Sequence, residues 1–199
     1  MGGKLLLATN NKAKVREYKS LFANLTSEVV TLAELGITTE VSEGGSSMEE
    51  NARLKAAFYA AESQMIALAD DSGLEVDALG GEPGPLSARY AGEGASDRDR
   101  INYLLSRLEG VPWEKRTARF HCVIALATPG GGVETRSGEC AGIITLEPKG
   151  EHGFGYDPIF YLPELGKTMA ELPLETKNRV SHRAQAARKV CRLLERLNL

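Results

Sequence analysis

Short apolar runs and amphipathic helical patterns alternate along this chain of 199 residues. Residues 5–8 and 65–69 are apolar runs of the length typical of buried strands, and polar residues follow each run. Between these runs, apolar side chains from Val15 to Leu25 recur at three- and four-residue spacing, which is the period of one helix face. Such alternation is typical of α/β proteins, so it predicts helices packed on a sheet.

Further helices and strands are predicted along the rest of the chain. Ser47–Glu50 and the pair Ser96 and Asp99 have the spacing of capping boxes, and each precedes a helical pattern. Ser181 is the predicted N-cap of a last helix. The remaining strands are predicted at residues 28–32, 118–128, 133–144 and 159–162. We therefore expect an elongated mixed sheet flanked by helices, in a single domain that covers residues 1–199.

The charge balance excludes one broad class of function. The chain has 24 Lys and Arg against 27 Asp and Glu, a net charge of −3, and no block of five or more basic residues. Nonspecific nucleic-acid binding needs clustered cationic charge, so we expect no nucleic-acid partner. We also expect no membrane partner and a cytoplasmic location, because no apolar run reaches about 18 residues and no signal peptide is recognisable. The three widely spaced cysteines predict reduced thiols in the core.

The segment from Thr9 to Lys14 lies where the first predicted strand meets the first helix. A helix N-terminus presents free N–H groups, and here a hydroxyl, two amides and two lysines stand beside them, so the segment is a candidate anion site. It has no P-loop sequence. The alternative interpretation is a helix cap with solvated lysines.

Asp70 and Asp71 follow the strand predicted at residues 65–69, where α/β proteins often present functional groups in loops. In extended backbone the two side chains point in opposite directions. Carboxylate oxygens suit Mg²⁺, for which Glu43 is a candidate second ligand. The alternative is that the two aspartates form a turn and cap a helix.

Two later segments could contact a flat ligand. Phe154 stands between Gly153 and Gly155, so a planar group could approach its ring, with Asp157 nearby for a polar contact. The segment 181–183, Ser-His-Arg, begins the last predicted helix and could meet an acceptor oxygen or a phosphate. The alternatives are a glycine-rich turn around a core aromatic and a capped helix with a surface arginine.

Taken in order, these segments resemble the inosine/xanthosine triphosphate pyrophosphatase family, whose members act on noncanonical purine nucleotides, and the bacterial members most closely. Eight motifs in series are a specific signal. The motifs are T-x-N-x-x-K from Thr9, E-N-A-x-x-K-A from Glu50, A-D-D-S-G-L from Ala69, G-G-x-P-G from Gly80, S-A-R-Y from Ser87, A-R-F-H-C from Ala118, G-F-G-Y-D-P from Gly153, and S-H-R from Ser181.

The resemblance implies Mg²⁺-dependent hydrolysis of a nucleoside triphosphate to its monophosphate and pyrophosphate. It also implies a two-lobed α/β homodimer with the active site in a cleft between the lobes. By position, Glu43 and Asp71 would bind the metal, and Asp71 would also be the general base for the water that attacks the α-phosphorus, supported by Asp70. Lys55 would help to neutralise the phosphates.

The same resemblance assigns the substrate contacts. The residues that would hold the phosphates are Thr9, Asn10, Asn11, Lys12, Ala13 and Lys14, and Ser72 would touch the substrate. Phe154 would stack on the purine, beside Gly155 and Tyr156. The residues that would complete the base pocket are Asp157, Lys177, His182 and Arg183.

Three alternatives stay open on the sequence alone. Glu40 rivals Glu43 as the metal ligand, because the acidic loop lacks a tight motif. A related pyrophosphatase that selects pyrimidine or alkylated nucleotides would share the phosphate and metal residues. A nucleotide-binding sensor with a degenerate catalytic site is a third function, although Asp70, Asp71, Lys14 and Lys55 are all present.

Overall fold

A computed structural model describes residues 3–41 and 44–196 of the chain. Its strands are β1 Lys4–Leu7, β2 Glu28–Thr31, β3 Ile66–Val76, β4 Pro83–Gly84, β5 Thr117–Ala127, β6 Val133–Ile144, β7 Phe160–Leu162 and β8 Lys167–Thr168. Its α-helices are α1 Lys12–Leu21, α2 Met48–Ser63, α3 Asp97–Arg107, α4 Leu174–Val180 and α5 His182–Arg196. None of the helices in these two ranges is both long and apolar enough to cross a membrane.

The strands form one mixed sheet in the order β2-β1-β3-β5-β6-β7-β8, with β4 paired to β3. β1 runs parallel to both of its neighbours, with Leu5 opposite Val29 on one side and Ile66 on the other. β6 and β7 are antiparallel, as are β7 and β8. The predicted mixed α/β class is therefore confirmed.

The chain divides into two compact units. The first unit comprises residues 1–71, 122–138 and 183–199, and the second comprises residues 72–121 and 139–182. The single domain over residues 1–199 and the active-site cleft between two lobes stay predictions.

The first unit has an apolar core on each face of its part of the sheet. Alternate residues of β1 face opposite ways, as extended backbone requires: Leu6 packs in the core that contains Ala52 and Ala56 of α2. Leu5 and Leu7 pack in the other core, whose helical residues come from α1 and α5. This part of the sheet is therefore buried on both sides, which is why β1 is apolar from Leu5 to Leu7.

The second unit has one core, built from α3, β7 and parts of the longer strands, with Leu104, Leu108 and Phe160 among its fully buried members. The capping box predicted at the start of α3 is confirmed, because Ser96 and Asp99 exchange both reciprocal bonds. At α2 the box is only half formed. Ser47 Oγ accepts from the Glu50 N–H, but the Glu50 carboxylate accepts from Ser46.

The expected end of the third strand is wrong. β3 continues through Asp70 and Asp71 to Val76, so both aspartates lie within a strand and not in a loop. The extension is stabilised by the burial of Leu74 and Val76 and by antiparallel pairing of Leu74 with Gly84. Tertiary pairing here outweighs the low strand preference of Asp, Ser and Gly.

The three cysteines are free thiols that differ in burial. Cys122 and Cys140 are buried and Cys191 is half-buried. Burial raises the pKa of Cys122 to about 12 and that of Cys140 to about 11.

Because the thiolate is the reactive form, we expect iodoacetamide at pH 8 to alkylate Cys191 first and Cys122 last. Mass spectrometry of the native protein checks this order of labelling. In urea the three thiols should be labelled at similar rates. Fast labelling of Cys122 in the native protein would contradict the prediction.

Candidate active site

The turn from β1 into α1 is closed by Asn11. Its Oδ1 accepts hydrogen bonds from the N–H groups of Ala13 at 2.9 Å and Lys14 at 3.1 Å, while its own N–H donates to Thr9 Oγ1 at 3.2 Å. The cap therefore already occupies two of the N–H groups that the sequence offered to an anion. Asn10 and Lys12 are exposed beside it, so side chains remain to meet an anion at this turn.

Asp70 is a buried carboxylate surrounded by cations. Lys14 Nζ lies 3.0 Å from Asp70 Oδ2, and Arg183 Nε lies 3.6 Å from the same oxygen. Burial raises the pKa of Asp70, but the charges of Lys14, Arg183 and Lys55 together lower it more, so that the pKa is about 2. Asp70 is consequently ionised at neutral pH, although its side chain is only 1% exposed.

Asp71 faces the other side of β3 and contacts α2. Asn51 Nδ2 donates to Asp71 Oδ2 at 3.0 Å, and Lys55 Nζ lies 3.9 Å from Asp71 Oδ1. Lys55 also donates to the backbone oxygen of Asp70 at 2.7 Å. Residues four apart share one helix face, so the E-N-A-x-x-K-A motif presents Asn51 and Lys55 together to the aspartate pair.

Asn51 is a site residue that sequence reasoning missed. Besides contacting Asp71, its Oδ1 accepts from the Gly45 N–H at 2.8 Å. A Cβ on Gly45 would lie 2.5 Å from that oxygen, so only glycine fits this close approach. The four-residue spacing between Asn51 and Lys55 was the available signal. Glu43 lies outside the described residues, and its rival Glu40 is exposed.

Arg183 is buried in the first unit at the start of α5. Its Nη1 lies 2.6 Å from Glu17 Oε2 on α1, and both side chains are at most 3% exposed. Its guanidinium also lies 5.8 Å from the centre of the Tyr18 ring. Glu17 is a second residue that sequence reasoning missed, since a single acid on a helix carries no motif. The assignment of Arg183 to the base pocket stays a prediction.

In the second unit, Asp157 organises the Gly-Phe-Gly segment. Asp157 Oδ2 accepts from the Phe154 N–H at 2.9 Å and forms a close ion pair with Lys177. The Lys177 ammonium lies 5.0 Å from the centre of the half-buried Phe154 ring, within the range of a cation–π contact. Gly153 has a φ of +76°, and a Cβ there would lie 1.9 Å from Asp157 Oδ2, so a side chain is excluded.

The neighbouring residues are held by the same unit. The Gly155 N–H donates to Asp97 Oδ2 at 2.7 Å, and the buried Tyr156 hydroxyl donates to the Ser87 carbonyl at 2.9 Å. The His182 ring is buried and stacks on Phe120, with ring centres 4.7 Å apart. The half-buried Ser72 lies in β3, directly after the aspartate pair.

A sequence profile described as the Ham1 family matches residues 5–193, nearly the whole chain. The chain belongs to the Ham1 family. A dITP/XTP pyrophosphatase from Desulforamulus reducens is 53% identical to it over 194 residues, which cover 98% of this chain and 96% of that protein. The relation to inosine/xanthosine triphosphate pyrophosphatases that the motif series predicts is therefore confirmed.

Solved structures of Ham1 proteins have the same fold. The Ham1 protein of Staphylococcus aureus superposes with a TM-score of 0.85 at 43% identity, covering 96% of this chain and 98% of that one. A HAM1 protein from Coxiella burnetii gives a TM-score of 0.88 at 40% identity, covering 97% and 98%. The similarity to these two structures thus extends over nearly the whole chain.

Proposed function

We propose that this chain is a nucleoside triphosphate pyrophosphatase that hydrolyses the noncanonical purine nucleotides ITP, dITP and XTP to their monophosphates and pyrophosphate, cleansing the nucleotide pool. The observation that carries the proposal is the convergence of Lys14 and Lys55 on the adjacent carboxylates Asp70 and Asp71. The D. reducens relative, named a dITP/XTP pyrophosphatase, supports the choice of substrates.

Asp71 is the general base in this proposal. It takes the proton of the water that attacks the α-phosphorus, and Asn51 and Lys55 fix the direction of its carboxylate. Lys14 and Lys55 offset phosphate charge, together with donors from the segment 9–14. Phosphoryl transfer depends mainly on such alignment and charge neutralisation, so the reaction requires no covalent nucleophile.

The carboxylates also fit Mg²⁺. The Asp71 side chain is 10% exposed, and carboxylate oxygens are the ligands that Mg²⁺ prefers. No cluster of three or more His, Cys, Asp or Glu occurs within residues 3–41 and 44–196, but Mg²⁺ usually takes only one or two protein carboxylates. In the proposal Asp71 holds the ion with Glu43. When bound, Mg²⁺ supplies charge neutralisation to the phosphate oxygens.

Base selection in the proposal depends on Phe154 and the donors around it. In the proposal Phe154 stacks on the purine, and donors from the segment 182–183 meet the 6-oxo oxygen. Hypoxanthine and xanthine accept a hydrogen bond there, whereas adenine carries an amino donor and would leave the protein donors unpaired. The resemblance further supports a cytoplasmic homodimer as the acting species.

The test is pyrophosphate release from ITP, dITP, XTP, ATP, GTP and dUTP, with Mg²⁺ and with EDTA. We expect ITP, dITP and XTP to be cleaved at least about 100-fold more efficiently than ATP, because an unpaired polar group in the base pocket is costly. EDTA should reduce turnover of all three to background. Preferential cleavage of dUTP would overturn the purine assignment, and tight nucleotide binding without any turnover would instead support a sensor.

A further inference from the structure

The segment Gly153–Asp157, here called the aromatic loop, is held by a carboxylate from a distant part of the sequence. The Gly155 N–H donates to Asp97 Oδ2 at 2.7 Å, across 58 positions of the chain. Gly155 directly follows Phe154, so this bond acts on the peptide group next to the aromatic residue. Asp97 is the first residue of α3, and the helix therefore sets the position of its backbone.

Asp97 is itself anchored by Arg100. The Arg100 guanidinium forms a close ion pair with Asp97 Oδ1, which leaves Oδ2 for Gly155. Arg100 Nη1 also donates to the carbonyl oxygens of Ala95 at 2.6 Å and Ala88 at 2.9 Å. The first turn of α3 thus links the aromatic loop to the S-A-R-Y segment, a motif to which the proposed reaction assigns no role.

The aromatic loop needs external support because of its composition. Gly153 and Gly155 both have positive φ, at +76° and +62°, and glycine loses more conformational freedom on ordering than any other residue. Asp157 holds the loop from its own end, and the Tyr156 hydroxyl ties it to Ser87. Asp97 accepts the hydrogen bond from Gly155, at the middle of the aromatic loop.

We propose that Asp97 is a positioning residue for the purine platform formed by Phe154, and so contributes to substrate affinity. This inference rests on the proposed function, in which Phe154 stacks on the base. A ring that is ordered before binding costs less conformational entropy when the purine arrives. Asp97 touches neither the phosphates nor the aspartate pair, so its contribution belongs to binding of the base and not to the chemical step.

We expect Asp97→Ala to raise the KM for dITP about 10-fold while kcat stays within about twofold, because stacking on a base contributes equally to ground state and transition state. Asp97→Asn keeps an oxygen for the Gly155 N–H and should restore most of the affinity. Arg98→Ala, an exposed change in the same helical turn, should leave both constants unaltered. Thermal unfolding verifies that each variant is folded.

A double-mutant cycle decides whether Asp97 acts through Phe154. In the Phe154→Ala background, Asp97→Ala should raise KM no further, because the platform is already absent. NMR hydrogen exchange should show faster exchange of the Gly155 amide in Asp97→Ala than in the wild-type chain. If the effects of Asp97→Ala and Phe154→Ala on KM were additive, or if Asp97→Ala left KM unaltered, the role of Asp97 would be overturned while the proposed function would stand. Absence of pyrophosphate release from the wild-type chain would instead overturn the proposed function and, with it, the purine role of Asp97.

Discussion

The substitution Asp71→Asn is expected to lower kcat for dITP by about 10³-fold or more, with the fold retained. Removal of a general base typically costs 10²–10⁴-fold, and Asp71 is also the proposed ligand of the metal. The fold should survive because the new amide has the shape of the carboxylate. In the wild-type chain Asn51 Nδ2 donates to Asp71 Oδ2 at 3.0 Å, and the amide oxygen of the variant can still accept this bond. Steady-state pyrophosphate release with dITP measures the effect.

The matched control is Glu75→Gln, the same chemical change four residues further along β3. Glu75 forms a partly exposed ion pair with Arg119 at 3.5 Å and lies outside the proposed machinery. Its activity should remain within about twofold of wild type, since exposed ion pairs contribute little. Near-normal turnover in Asp71→Asn would refute the assignment of Asp71 as base, and unfolding of that variant would show in its circular dichroism.

The substitution Arg183→Met is expected to reduce the free energy of unfolding by about 3–5 kcal/mol. It removes a buried cation from two carboxylates, leaving Glu17 without the contact at 2.6 Å and Asp70 without the contact at 3.6 Å. An uncompensated buried charge is costly because the interior stabilises it far less than water does. Urea unfolding at pH 7, followed by circular dichroism, measures the change.

Two further variants separate loss of charge pairing from loss of packing. Arg179→Met removes an arginine from an exposed pair with Glu175 on α4, and should cost no more than about 0.5 kcal/mol. Adding Glu17→Leu to Arg183→Met removes one orphaned carboxylate and should recover part of the lost stability. If Arg183→Met were as stable as Arg179→Met, the buried pair would not contribute as described.

The sequence predicted the long elements and the alternation of side chains along them well. Periodicity identified the first helix, the hairpin of β5 and β6, and the opposite orientation of the two aspartates. In agreement with the predicted orientations, the two side chains contact different helices, Asp70 contacting Lys14 of α1 and Asp71 contacting Asn51 of α2. These features depend on spacings of a few residues, which a sequence displays directly.

Contacts between distant segments could not be predicted in the same way. The pair of Glu17 and Arg183 joins positions 166 residues apart, and neither residue carries a local signal for the other. The continuation of β3 to Val76 depends on pairing with β4, a strand of two residues that is too short to show any periodicity. The helix α4 has only seven residues and was missed for the same reason.

The division of the chain has a consequence for its synthesis. The first unit draws on three separate stretches, and its last stretch begins only at residue 183. Val190 and Leu194 of α5 complete one of its apolar cores, and Arg183 completes its buried charge network. A nascent chain emerging from the ribosome therefore cannot finish this unit until the residues after position 182 have been made. Contacts between such distant positions also slow folding, so the newly made protein should expose β1 and β3 for longer than a chain of local contacts would.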